Sequence, residues 1–234
     1  MMRKIAISQP RYLPACNYIE RMIISDVFVM LDNVQHQKRA FEHRNRIRTT
    51  NGCCWLSIPI DRKNSKSDKI KDLLVLNDES WEENHYKNFV HNYKKTPFYD
   101  EIIKLLEEFY SKKRIYFNEV VRDMLNILIN YLELKVKVEW ASNYIWKCKK
   151  DDLLIEITKY FDGDIYISGP NGRNYIDKNK FIKNDIELVF HEYNHPVYNQ
   201  IWGDFIPYMT IWDMLFYCGK DTVKYIKTGF LKKE

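Results

Sequence analysis

The chain has 234 residues, of which 45% are hydrophobic and 29% charged. This composition excludes an intrinsically disordered protein and is sufficient for one full-sized core. The formal net charge of +5 favours anionic partners such as phosphates, but it falls short of the dense basic face of a nucleic-acid binder. The sequence contains no apolar run of membrane-spanning length, and its N-terminus lacks the apolar core of a signal peptide, so we expect a cytoplasmic protein without a membrane span.

The cysteine and histidine patterns predict neither a metal site nor a disulfide framework. Five cysteines are an odd number and have no CxxC spacing, and the six histidines form no HExxH or HxH cluster. We therefore expect reduced cysteines and no tightly bound cofactor.

The N-terminal part predicts a strand–helix–strand unit over 3–8, 16–24 and 27–31. The second strand is a continuous apolar run, typical of a strand that is covered on both faces. Polar residues follow each strand: Gln9 and Tyr12 after the first, and Asp32 and Gln35 after the second. Because parallel strands deliver their carboxyl ends to one edge of a sheet, we expect these side chains to converge on a ligand.

A basic segment and a hairpin come next. Arg39, Arg44, Asn45 and Arg46 lie close together in the sequence and supply groups that can hold an anion. The segments 44–48 and 54–60 flank an Asn-Gly turn, which predicts a β-hairpin. The alternative interpretation is a solvated turn and a basic edge strand.

The remaining elements predict an α/β protein with a mostly parallel central sheet, flanked by helices and carrying a helical insertion and the hairpin. We expect one domain over 1–234, with the insertion at about 79–133. Helical periodicity over 81–93, 98–110 and 115–132 defines the insertion. Further strands are predicted at 136–140, 164–167 and 186–190, with a helix at 152–161.

Two further polar segments follow predicted strands. In the first, glycines and a cation are suited to holding a phosphate, and its candidate ligand-binding residues are Ser168, Gly169 and Tyr175. An ordinary Pro-Asn-Gly turn is the alternative interpretation of this segment.

The second segment, 191–200, contains His195, Tyr198 and Gln200. A histidine in such a loop is a candidate general base, although a loop histidine also commonly binds only the backbone. The helix that follows has Thr210 as its expected N-cap and Gly219 as its C-cap, and Asp213 either completes the cap or orients His195.

These segments resemble the WbqC-like family, which is found with bacterial surface-polysaccharide biosynthesis. The resemblance covers nearly the whole chain: QPRYLP (9–14), DVFVMLDNVQ (26–35), KR (38–39), RNRIR (44–48), GCCWLSIPI (52–60), YISGPNGRNYID (166–177), YNHPVYNQIWGDF (193–205) and MTIWDMLFYCG (209–219). The chain departs from the family pattern at Ala15, Asn17, His36, His43, Thr210 and Tyr217. The resemblance implies a cytosolic enzyme that acts on a nucleotide-linked sugar destined for O-antigen or capsule.

Our preferred hypothesis from the residues is acyl transfer to the amine of such a sugar, with acyl-CoA or an acyl-carrier protein as the donor. A bound amine needs a base and oxyanion donors but no covalent nucleophile. A glycosyltransferase-like enzyme and a non-catalytic partner of a biosynthetic enzyme are the alternatives. The predicted catalytic residues are His195 and Asp32, and the predicted substrate-binding residues are Gln9, Tyr12, Gln35, Arg39, Arg44, Asn45, Arg46, Ser168, Gly169, Tyr175, Tyr198 and Gln200.

Overall fold

The structure, a computed structural model, describes residues 2–37, 41–77 and 80–227. Its strands are β1 (Lys4–Ser8), β2 (Val27–Met30), β3 (Arg44–Thr49), β4 (Gly52–Ser57), β5 (Ile60–Asp61), β6 (Leu74–Val75), β7 (Lys137–Trp140), β8 (Ile165–Ser168) and β9 (Glu187–Phe190). Its helices are α1 (Cys16–Ile23), α2 (Trp81–Tyr93), α3 (Tyr99–Tyr110), α4 (Phe117–Tyr131), α5 (Lys150–Tyr160), α6 (Lys178–Ile182), α7 (Ile211–Cys218) and α8 (Thr222–Lys227). These elements confirm the predicted α/β class.

The central sheet is parallel throughout and has the order β7-β2-β1-β8-β9. From β1 the chain first extends the sheet to one side through β2 and β7, and then crosses to add β8 and β9 on the other side. The direction of winding therefore reverses between β1 and β8. Open α/β sheets bind ligands at such a switch point, beyond the carboxyl ends of the strands.

Side-chain alternation along the central strands divides the core into two layers. Ile5 and Ile7 of β1 pack with α5 and α6 on one face of the sheet. Ala6 of β1 and Phe28 of β2 belong to the larger cluster on the other face, which includes residues of α1, the three insertion helices and α7. The predicted apolar run at β2 is buried at all four positions, as expected for a strand covered on both faces.

The helical insertion consists of α2, α3 and α4, in agreement with the predicted periodicity. It shares the larger apolar cluster with the sheet. Its contact with α7 is aromatic: the rings of Tyr93 and Phe216 stack with their centroids 4.4 Å apart, and Phe89 stacks on Phe216 at 6.0 Å. Such pairs add to the free energy gained by burying the rings.

The predicted hairpin is formed by β3 and β4, which pair antiparallel from Arg44↔Ser57 to Thr49↔Gly52. Gly52 has a φ of +110°, a conformation that glycine adopts without steric cost. The second arm ends at Ser57 rather than at residue 60, shortly before Pro59, which lacks an N–H donor. Backbone hydrogen bonds attach this region to the loop after β1 and to the start of α7: Tyr12 N donates to Glu42 O at 2.7 Å, and Thr210 N donates to Arg46 O at 3.0 Å.

Candidate functional site

We use the name switch-point crevice for the region beyond the carboxyl ends of β1 and β8, beside α1. Ser8 ends β1, Ser168 ends β8, and Gln9 and Gly169 begin the loops that follow these strands. The prediction that Gln9, Ser168 and Gly169 meet at one edge therefore agrees with the strand order. The loop after β9 joins them, because His191 N donates to Ser168 O at 2.9 Å.

Two arginines that the sequence interpretation passed over lie at this crevice. Arg21, on α1, is only 5% exposed, and its Nη2 donates to Ser8 Oγ at 3.2 Å. The guanidinium carbons of Arg11 and Arg21 lie 5.5 and 5.6 Å from the ring centroid of Tyr18. Burial, followed by the positive charge of Arg11, lowers the pKa of Arg21 to about 10, and burial also lowers the pKa of Arg11. Both arginines remain cationic at neutral pH.

In the loop after β8, the backbone at Gly169 and Gly172 lies close to polar side-chain groups. A Cβ at position 169 would lie 2.9 Å from Arg21 Nη1, and a Cβ at Gly172 would clash with Ser168 Oγ. The absence of side chains therefore lets the backbone approach the crevice closely, as the Gly-Pro-Asn-Gly sequence predicted. Tyr175, a predicted binding residue in the same loop, is 69% exposed.

Glu20, the residue before Arg21 on α1, forms a buried hydrogen-bonded pair with His191 in the loop after β9. The Glu20 carboxylate bonds to His191 Nε2, and both side chains are almost completely inaccessible. Farther along this loop the rings of His191, Tyr193 and His195 follow one another, with centroid separations of 6.0 and 5.8 Å. The loop thus leads from the switch-point crevice to His195.

His195 has a defined tautomer. Its Nδ1 lies 2.9 Å from the carbonyl oxygen of Pro196, which only accepts, so Nδ1 carries the proton and Nε2 has a lone pair. Nε2 is buried and has no hydrogen-bond partner in the described part of the chain. Burial lowers the pKa of His195, which keeps the ring neutral at pH 7. The surrounding rings are those of Tyr193, Tyr198, Phe205 and Tyr208.

Asp213 is the residue that the sequence offers for orienting His195. Its carboxylate forms its hydrogen bonds with other residues. Its carboxylate accepts from Tyr93 and Tyr198 hydroxyls, both at 2.5 Å, and from Gln200 Nε2 at 2.9 Å. Desolvation by burial raises the pKa of Asp213. The predicted binding residues Tyr198 and Gln200 therefore belong to a buried network that joins the loop to α2 and α7. The predicted caps of α7 are both present, Thr210 through its hydroxyl and Gly219 with a φ of +51°.

Asp32 is the second predicted catalytic residue. Its side chain forms its hydrogen bonds beyond β2 and β7, on the other side of β1 from the switch-point crevice. Its carboxylate accepts three hydrogen bonds, from Ser142 N at 2.8 Å, Ser142 Oγ at 2.6 Å and Asn118 Nδ2 at 2.7 Å. The side chain is fully buried. These bonds connect the ends of β2 and β7 with α4. No contact in the described ranges links Asp32 with His195, and its catalytic role stays a prediction.

The other predicted binding residues are distributed around the hairpin and the loop after β1. Tyr12 is fully buried, and its hydroxyl bonds to His85 Nδ1 at 2.8 Å and Tyr110 at 2.5 Å. Asn45 is buried and donates to Leu13 O. On the hairpin surface, the guanidiniums of Arg44 and Arg46 lie 4.7 and 5.6 Å from the Trp55 ring. Gln35 is exposed, and Arg39 lies outside the described residues.

A polar cluster joins the segment between β2 and β3 to the segment after β5. His36 Nε2 lies 3.0 Å from His43 Nδ1 and 3.3 Å from Glu42 Oε2, and Arg62 donates to His36 Nδ1. Burial raises the pKa of Glu42 to about 7 and lowers that of His36 to about 4. Arg62 at Nδ1 disfavours metal coordination by His36, because a metal-bound imidazole normally donates from its other nitrogen. No metal-binding group of three or more acidic, His or Cys residues occurs in the described part of the chain.

The fold defines a doubly wound α/β protein, and two buried or partly buried arginines, Arg11 and Arg21, lie at its switch point. The sequence model of the WbqC-like protein family matches residues 9–225, so the chain belongs to that family. A curated relative is 28% identical over 228 residues, covering 97% of this chain and 98% of its own length; it is named Uncharacterized protein Rv1507c, from Mycobacterium tuberculosis (strain ATCC 25618 / H37Rv). No solved structure matches the chain. None of the described helices is long and apolar enough to cross a membrane.

Proposed function

We propose that this chain is an enzyme of surface-polysaccharide biosynthesis that transfers an acyl group to the amine of a nucleotide-linked amino sugar. Membership of the WbqC-like family supports the biosynthetic setting that the sequence resemblance implied. The basic switch-point crevice supports a phosphate-bearing substrate, since this is where α/β sheets receive nucleotides. The acyl donor is a thioester, either acyl-CoA or an acyl-carrier protein.

The observation that carries this proposal is the unpaired Nε2 of His195. Pro196 O holds the proton on Nδ1, so the ring presents its lone pair, and its lowered pKa keeps that lone pair available at neutral pH. The sugar nitrogen attacks the thioester carbonyl, the new N–C bond forms, and His195 takes the proton lost by nitrogen. The C–S bond then breaks and the proton passes to the leaving thiolate, which yields an amide and a free thiol.

Asp32 takes no part in this scheme. Its carboxylate already accepts three hydrogen bonds and joins β2, β7 and α4. Cys16 is also left out, because burial raises the pKa of its thiol and a thiol rather than a thiolate is a poor nucleophile. The chemistry needs a base, a positioned amine and donors to the oxyanion, but no covalent nucleophile.

The test is to incubate the protein with candidate nucleotide amino sugars and acyl thioesters and to detect the amide by mass spectrometry. His195→Ala is expected to lower kcat by about 100-fold or more, the usual contribution of a general base. His91→Ala is the matched control, because His91 is an exposed histidine on α2. Because burial lowers the pKa of His195 below the ordinary histidine value, activity of the wild-type protein should persist at pH 6.5 and fall only at lower pH, where protonation removes the His195 lone pair.

Unchanged turnover in His195→Ala would contradict the assignment of the base. A glycosyltransferase would instead release nucleoside diphosphate from the donor sugar without forming an amide. A non-catalytic partner would bind none of the nucleotide sugars in calorimetry. These three readouts separate the proposed function from its two alternatives.

A further inference from the structure

We propose that Arg11, Arg21 and the loop that begins at Gly169 form a diphosphate-binding subsite. The subsite deepens the proposed function, because it assigns the phosphate-bearing part of the substrate to particular residues. The evidence for the subsite is the position and the partners of these residues. Phosphate binding by the subsite can be tested without any acyl donor.

The first argument is uncompensated buried charge. Arg21 is 5% exposed, and within the described ranges it forms no salt bridge with a carboxylate. Its Nε is buried and has no hydrogen-bond partner there. The adjacent carboxylate of Glu20 is directed to His191 instead. A buried cation in this state is unfavourable unless a ligand supplies the negative charge.

The second argument is the pairing of two cations. The guanidiniums of Arg11 and Arg21 both lie within 5.6 Å of the centroid of one neutral ring, that of Tyr18, and the charge of Arg11 contributes to lowering the pKa of Arg21. The aromatic ring attracts both guanidiniums but carries no net charge, so it does not neutralise them. Glu42 attracts Arg11, yet burial raises the pKa of that carboxyl to about 7, which weakens its charge at neutral pH.

The third argument is access for an anion. Gly169 leaves the space that a Cβ would occupy at 2.9 Å from Arg21 Nη1. Ser8 Oγ lies beside the same guanidinium and can turn its proton toward a ligand oxygen. Guanidiniums bind phosphate oxygens bidentately, and two of them match the two phosphates of a diphosphate better than one carboxylate or one sulfate.

The subsite can be tested on the full-length protein by isothermal titration calorimetry with inorganic pyrophosphate, uridine diphosphate and uridine. We expect pyrophosphate and uridine diphosphate to bind and uridine alone to bind at least tenfold more weakly. Arg21→Met should weaken the two phosphate ligands by tenfold or more. Gly169→Ala should do the same with the charge retained, because the new methyl group displaces the guanidinium. Circular dichroism establishes that each variant is folded.

Arg122→Met is the matched control, because Arg122 is exposed and lies 4.7 Å from the Trp140 ring in a comparable cation–π contact. It should bind pyrophosphate as the wild-type chain does. The proposal is overturned if the wild-type chain fails to bind pyrophosphate, if Gly169→Ala binds it unchanged, or if Arg122→Met loses as much affinity as Arg21→Met. Phosphate binding without amide formation would reject the acyltransferase function alone, and amide formation without phosphate binding would reject the subsite alone.

Discussion

Buried ionisable side chains in the two halves of the sheet's carboxyl edge differ in how fully they are hydrogen-bonded, although the amide oxygens of Asn33 and Asn118 in the Asp32 half also have no partner in the described part of the chain. Beyond β2 and β7, the Asp32 carboxylate accepts three hydrogen bonds from Ser142 and Asn118. Beyond β1, β8 and β9, three buried atoms of ionisable side chains have no hydrogen-bond partner in the described part of the chain: Arg21 Nε, Glu20 Oε1 and His195 Nε2. Both halves follow parallel strands of one sheet, so strand position alone does not explain the difference.

We interpret this difference as a division between groups that stabilise the fold and groups that we propose bind a ligand. A buried carboxylate with its hydrogen bonds made rigidifies the segments that it connects. A buried cation or lone pair without a partner lowers stability, and each such group in a folded protein calls for an explanation such as a ligand. The β1/β8 half is therefore the part of the edge where we place substrate binding and proton transfer.

Substitution of Asp32 gives the largest expected effect on stability. Asp32→Ala leaves three buried donors, Ser142 N, Ser142 Oγ and Asn118 Nδ2, without their acceptor, and should lower the free energy of unfolding by about 4 kcal/mol. Urea denaturation measures this loss. Asp100→Ala, at an exposed aspartate in the first turn of α3, should cost less than about 1 kcal/mol. A folded Asp32→Ala protein of normal stability but without activity would instead support the predicted catalytic role.

Glu42 lies between the two halves and makes stability depend on pH. Its backbone carbonyl accepts from Tyr12 N after β1, and its side chain accepts from Gln37 N after β2. Burial raises its pKa from 4.5 to about 7 in the folded state. Between these values the folded protein binds more protons than the unfolded chain, so this contribution to stability falls as the pH rises from 4.5 to 7.

Glu42→Gln should remove that dependence. The variant's free energy of unfolding, relative to the wild-type value, should increase by about 3 kcal/mol between pH 4.5 and pH 8. His36 acts in the opposite direction, because burial lowers its pKa to about 4 and neutral His36 loses stability as the pH falls below 6.5; this effect is common to both proteins. Glu108→Gln, at an exposed ion pair, should follow the wild-type profile. Parallel profiles for Glu42→Gln and the wild-type chain would show that Glu42 ionises normally.

Most of the fold could be predicted because its signals are local. The apolar run of β2, the Asn-Gly turn of the hairpin and the helical periodicity of α2, α3 and α4 each arise from neighbouring residues. The N-cap Thr210 and the C-cap Gly219 of α7 are likewise predicted from neighbouring residues. The parallel sheet confirms the predicted class.

The candidate site was predicted only in part, because its key residues contradict local patterns. Glu20 and Arg21 are charged residues in an amphipathic helix, and helical periodicity alone assigns such residues to solvent. Their burial follows from the position of α1 beside β1 and from packing against loops after β8 and β9, which are distant in the sequence. The direction of the Asp32 side chain depends likewise on Ser142, 110 residues away.

Substitution of Tyr12 has the smallest expected effect on stability. It tests whether the hydrogen-bonded arrangement around Asp32 extends to the loop after β1. The sequence predicts that Tyr12 binds the substrate, whereas the structure buries its ring among α2 and α3 residues. Its hydroxyl bonds to His85 Nδ1 at 2.8 Å and to the Tyr110 hydroxyl at 2.5 Å. Tyr12→Phe leaves His85 Nδ1 unpaired and should lower the free energy of unfolding by about 1–2 kcal/mol.

Tyr175→Phe is the control for this last substitution, because Tyr175 is the predicted binding tyrosine whose side chain is mostly exposed. Its free energy of unfolding should be unchanged within about 0.5 kcal/mol in urea denaturation. If Tyr12→Phe is equally neutral, the hydroxyl is solvated and the ring is available to a ligand. If it is destabilising while substrate KM is unchanged, Tyr12 anchors the loop to the helical insertion, and Arg11, the preceding residue, is held at the crevice by that anchor.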